Sequence, residues 1–91
     1  MLFVALLKGF PATTQETRIR RMEWDYPDVG TKVLGEYWLQ SNDPEVVAIF
    51  EADHISQIMA TFAAWDDVFE VKIYPAVSAD EGLELLKQMS Q

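Results

Sequence analysis

Short apolar runs and polar, periodic stretches divide the chain into segments. Residues 1–7 (MLFVALL) are continuously apolar and stop at Lys8-Gly9. A run that short is below the length of an independent helix, so it predicts a buried strand. Phe10-Pro11 turns the chain, and Thr13-Thr14-Gln15-Glu16 has the form of a capping box, in which Thr13 would accept from the third helical N–H. The helix it opens is loosely amphipathic, with Ile19, Met22 and Tyr26 at i, i+3 and i+7; Pro27 and Gly30 end it. Residues 32–40 alternate, with Val33, Gly35, Tyr37 and Leu39 opposite Leu34, Glu36, Trp38 and Gln40. Ser41-Asn42-Asp43-Pro44 is a cluster of turn formers, and residues 45–51 are apolar on both parities, which predicts an antiparallel hairpin. Asp53 stands where it can cap a second helix, whose apolar residues Ile55, Ile58, Met59, Phe62 and Trp65 fall at offsets 0, 3, 4, 7 and 10. Asp66-Asp67 breaks it. Residues 68–77 alternate again, with Phe69, Val71, Ile73 and Pro75 opposite Val68, Glu70, Lys72 and Tyr74. Ser78-Ala79-Asp80-Glu81 is a second capping box, opening a last helix with Leu83, Leu85, Leu86 and Met89.

The order is strand, helix, strand, strand, helix, strand, helix. Its first six elements are the βαββαβ, or ferredoxin-like, arrangement of the α+β class. Right-handed crossovers then give a four-stranded antiparallel sheet with the helices on one face, the first and third strands central. The C-terminal helix is extra to this core. Residues 1–91 form a single domain. The central strands are apolar on both parities, although the helices cover only one face. The other face would carry Leu34, Glu36, Trp38, Gln40, Val68, Glu70, Lys72 and Tyr74 at its rims. Left open, it would expose more contiguous apolar surface than soluble monomers do. A homodimer with the sheets facing each other, a dimeric α/β barrel, is the expected solution. The last helix would pack on the sheet edge or reach across to the partner.

Composition narrows the function classes. Seven Lys+Arg against fifteen Asp+Glu give a net charge of −8, which repels nucleic acid and anionic membranes. The longest apolar run is far short of the roughly 20 residues that span a bilayer, and it lacks the basic flank and length of a signal peptide. There is no cysteine, so disulfides, thiolate nucleophiles and thiolate metal sites are excluded. A small secreted domain often needs such staples, so a cytoplasmic home is expected.

The candidate chemistry is sparse. The one histidine, His54, could act as a base or ligate haem iron at a cavity mouth; a surface histidine in a first helical turn accounts for it more simply. Tyr37, Trp38, Trp65 and Tyr74 could line a flat apolar pocket, though core and interface packing uses the same residues. Arg18, Arg20 and Arg21 with Trp24 form a basic patch that could bind phosphate or stack bases, but Glu16, Glu23, Asp25 and Asp28 surround it, so a solvated helix face with internal ion pairs is the preferred reading. Asp66-Asp67 could supply half a carboxylate metal site only through a turn. Glu36 and Glu70, expected on one sheet face, could pair with Lys72 across a dimer. No phosphate-binding glycine loop or nucleophile elbow can be drawn.

The stretch Leu39-Gln40-Ser41-Asn42-Asp43-Pro44-Glu45, and above all Trp65-Asp66-Asp67-Val68-Phe69-Glu70-Val71 running to Pro75-Ala76-Val77, resembles a family of small prokaryotic proteins of unknown function in the dimeric α/β-barrel group. Its members open with an apolar strand, as Met1-Leu2-Phe3-Val4 does, and end the second helix on a tryptophan-acid pair. The resemblance implies the ferredoxin-like fold and the dimer, and no activity. Its wider group includes cofactor-independent monooxygenases, haem-degrading enzymes, isomerases and ligand-sensing modules, an analogy of fold only. The expectation is a non-catalytic homodimeric module, without cofactor or metal, that binds a small apolar ligand or a partner. His54, Tyr37, Trp38, Trp65 and Tyr74 are the ligand-binding candidates, and none is assigned a catalytic role. The alternative is a cofactor-independent monooxygenase or isomerase acting on a small aromatic or apolar substrate.

Overall fold

In a computed structural model that describes residues 1–90, the predicted element order is the observed one. Strand β1 (Leu2–Gly9), helix α1 (Thr14–Glu23), strands β2 (Lys32–Trp38) and β3 (Val46–Glu51), helix α2 (Ile55–Phe62), a 3₁₀ turn (Ala63–Trp65), strand β4 (Phe69–Ala76) and helix α3 (Ala79–Met89) follow one another. The strands pair antiparallel in the order β2-β3-β1-β4, so β1 and β3 are central. This is the ferredoxin-like α+β architecture, with α3 added. No helix among the described residues is long and apolar enough to cross a membrane.

The register assigns the faces. Phe3, Ala5 and Leu7 lie beside Phe50, Ala48 and Val46 on one side and Pro75, Ile73 and Val71 on the other. Phe3, Ala5, Leu7, Ala48 and Phe50 are buried, joined in the core by Ile58, Phe62, Trp65, Val68 and Phe69. Val68, expected on the opposite face, is thus a core residue: it precedes β4 in the turn, where strand alternation does not apply. The open face carries Leu2, Val4, Leu6, Val47 and Ile49, all half-buried, with Tyr37 and Tyr74 half exposed at its edges.

Strand β2 departs from the alternation. Val33 pairs with Phe50 and Gly35 with Ile49, so Leu34 is an extra residue in a β-bulge. Beyond it every side chain changes face. Glu36 and Trp38 stand beside Ala48 and Val46 on the helix side, not on the open face, so Glu36 does not share a face with Glu70.

The helix ends were partly legible. Ser78 caps α3 by accepting from the Glu81 N–H at 3.1 Å. At α1 the predicted box does not close. Thr13 Oγ1 instead donates to the Phe10 carbonyl at 2.7 Å, since Thr13 sits with helical dihedrals just after Ala12, whose φ is +64°. At α2 the cap is His54 rather than Asp53, because Gln57 Oε1 folds back to accept from both Asp53 N–H (3.0 Å) and His54 N–H (2.9 Å). The Ile19–Met22 stripe of α1 faces solvent, and the helix ends before Tyr26; the residue it buries is Thr17. On α2, Ile58 and Phe62 are buried but Ile55 and Met59 are not.

Candidate functional site

The side-chain cluster richest in chemistry sits between α1 and the helix side of β2 and β3. The bulge at Leu34 creates it by turning Glu36 inward. Arg21, on the last turn of α1, donates to Glu36 through Nε (3.2 and 3.1 Å to the two carboxylate oxygens) and through a terminal nitrogen at 2.9 Å. Trp38 Nε1 donates to the second carboxylate oxygen at 2.7 Å, and the Tyr26 hydroxyl donates to the first. Arg21 also donates to the Trp24 carbonyl at 2.8 Å, and its guanidinium lies 5.4 Å from the Trp24 ring centre and 5.2 Å from that of Tyr26, within cation–π range. Trp24 meets Tyr26 and Trp65 edge-to-face, at 4.8 and 5.5 Å.

These contacts fix the charge states. Burial alone would raise the Glu36 pKa, but the bonds from Arg21, Tyr26 and Trp38 and the positive charge of Arg21 outweigh it, and the carboxyl titrates below its ordinary value. Tyr26 moves the other way. Its burial, and then its bond to the Glu36 carboxylate, hold the phenol protonated well above its usual range. The bond to Glu36 likewise raises Arg21.

A half-open cleft of about 50 Å³ adjoins this cluster. Trp24, Tyr26, Trp38 and Trp65 give it aromatic walls, and Arg18 and Glu45 also line it. Glu45 is 8% exposed. Its Oε2 occupies the space where a side chain on Gly9 would begin, 2.1 Å from the position of a Cβ there. No donor among the described residues reaches the Glu45 carboxylate, and Arg18 forms no ion pair there.

The neighbouring arginine has a separate function. Arg20 holds both oxygens of Asp67 (2.8 and 3.0 Å) and Glu16 (3.0 Å), tying α1 to the turn before β4. Its bond lowers the Asp67 pKa. Asp67 is therefore committed to an ion pair, and no group of acidic or histidine residues among those described could hold a metal.

Of the five residues proposed from sequence, Trp38 and Trp65 line this cleft. Tyr37 and Tyr74 lie on the other sheet face, pairing with Val47 and Val4 respectively. His54 is exposed at the start of α2 and lines no part of the cleft. Arg21, Tyr26, Glu36 and Glu45 were missed as site residues. One signal was present: a glycine inside a strand, Gly35, marks many bulges, and a bulge there reverses Glu36.

A protein family described as a domain of unknown function, DUF3303, matches residues 1–90. The chain belongs to that family. The match places nearly the whole length within DUF3303, which carries no assigned activity. Searches of the curated proteins and of the solved structures find no match.

Proposed function

We propose that the chain is a homodimeric, non-catalytic module that binds a small molecule in the cleft beneath α1. One observation carries this reading: the carboxylate of Glu45, a residue otherwise 8% exposed, lines the cleft with its oxygens open to solvent and no donor from the described residues. A ligand supplying an N–H or O–H would pair with this carboxylate in place of water, and the aromatic rings around it suit a flat body. The cleft is small against the 300–1,000 Å³ or so of ordinary ligand pockets. It admits a small polar head, with the rest of the ligand lying outward toward exposed Arg18. The class that fits is a small aromatic compound with a donor at one end and an acceptor or anionic group at the other.

The charge states favour binding over catalysis. Tyr26, Arg21 and Glu36 are all held in one protonation state through neutral pH, whereas general acid–base work needs a group near the operating pH. The second reading, a cofactor-independent monooxygenase or isomerase, rests on Glu45 alone, the cleft carboxylate not saturated by donors.

A thermal-shift screen of small aromatic amines, heteroaromatic amides, quinones and polyphenols tests the proposal. Ligands of the stated class should raise the Tm of the wild type. Glu45→Met, shown to be folded by its far-UV dichroism, should not respond to these ligands. No stabilisation by any compound would overturn the reading, and conversion of a bound compound to product would favour the enzyme.

A further inference from the structure

Helix α3 buries none of its residues. Leu83, Leu86 and Met89 are 57, 61 and 80% exposed, and Val77, at the joint with β4, is 57% exposed. The molecule measures 52 × 28 × 17 Å, and its radius of gyration of 15.1 Å exceeds the about 12 Å of a compact chain this long. Its surface of 6324 Å² likewise exceeds the about 5,400 Å² of a compact monomer of this mass. That surplus, about 900 Å², is close to the about 800 Å² each partner contributes to a standard protein interface.

The open sheet face is the other uncovered apolar surface, and its charges complement α3. Lys8, Lys32 and Lys72 all lie on that face, together with Glu51 and Glu70; Lys8 also pairs with Asp43 at 3.8 Å. The helix carries Asp80, Glu81 and Glu84 against a single Lys87.

We propose that α3 is an exchanged arm, which crosses to a second copy of this chain and lays Leu83, Leu86 and Met89 against that copy's open sheet face. The proposal rests on the homodimer and adds to it. Two sheets packed directly on each other would leave α3 uncovered, whereas a reciprocally exchanged arm covers the helix and the open face together and links the copies as a two-fold axis requires.

Light scattering and sedimentation of the full chain, wild type and Leu83→Glu/Leu86→Glu, test it. The wild type should have twice the 10.4 kDa chain mass. The variant should dissociate with a Kd at least about a hundredfold higher, since two leucines lose their burial, while its far-UV dichroism is unchanged. Added salt should weaken the wild-type dimer through the lysine–carboxylate pairing. A monomeric wild type would overturn both the arm and the dimer. A wild-type dimer whose Kd is unaffected by the double substitution would overturn the arm alone and leave a dimer held by the sheets. If the double variant loses its dichroism, Leu86→Lys alone carries the same test.

Discussion

Helices α2 and α3 place apolar or small residues at the same offsets. Ile55, Ile58, Met59, Phe62 and the following Trp65 match Ala79, Gly82, Leu83, Leu86 and Met89. In the first set Ile58, Phe62 and Trp65 are buried; in the second nothing is. The difference lies in how each helix is held. Both ends of α2 continue into strands of one sheet, β3 and β4, so its stripe is pressed onto Phe50 and the core. The sheet holds α3 only through Val77-Ser78 at its N-terminus. Periodicity records that a helix has a face to cover and says nothing about which surface covers it.

The largest expected effect is on the covered helix. Phe62→Ala should cost about 3–5 kcal/mol of unfolding free energy, because Phe62 packs edge-to-face on Phe50 at 5.6 Å within the core. Urea unfolding at high dilution measures it, and a loss under about 1 kcal/mol would erase the contrast between the helices. Next comes the polar cluster. Arg21→Ala should cost about 2 kcal/mol by leaving the Glu36 carboxylate with neutral donors only, as the same titration would show.

A smaller effect follows from pH. The Glu36 pKa is lowered in the fold, so its contribution is present above the ordinary value of 4.5 and is lost as pH falls through the folded value. The stability advantage of wild type over Glu36→Gln should therefore shrink below about pH 4.5. Tyr26 is raised, so its contribution holds below 10.0 and declines as pH climbs beyond it. Tyr26→Phe should flatten that alkaline decline. The smallest effect belongs to α3: at high dilution, Leu86→Ala should change the unfolding free energy by less than about 0.5 kcal/mol, since the side chain touches no core.

The element order was legible in the apolar runs and the turn and cap residues between them, and the central placement of β1 and β3 followed from that order. The site was not. Arg21 and Glu36 stand fifteen residues apart, and their meeting depends on one inserted residue, Leu34, which regular alternation hides. Glu45 reads as the start of a strand, and only Gly9, far away in sequence, leaves room for its carboxyl group. The expected face of internal ion pairs on Arg18, Arg20 and Arg21 is met only by Arg20 with Glu16: Arg20 and Arg21 find their principal partners, Asp67 and Glu36, on other elements, and Arg18 pairs with no described residue. The helix caps failed where a neighbouring backbone group competed for the same hydroxyl or amide, as at Thr13 and Gln57.

One feature of α1 bears on access to the cleft. The helix buries a single residue, Thr17, and its other moorings are two guanidinium groups, Arg20 on Asp67 and Arg21 on Glu36. Oil-fastened segments ignore dissolved electrolyte, whereas charge-fastened ones slacken as counter-ions crowd in. Brine should therefore loosen α1 where it borders the cleft beside Glu45 while α2 stays seated, making ionic strength a dial on the binding proposed there.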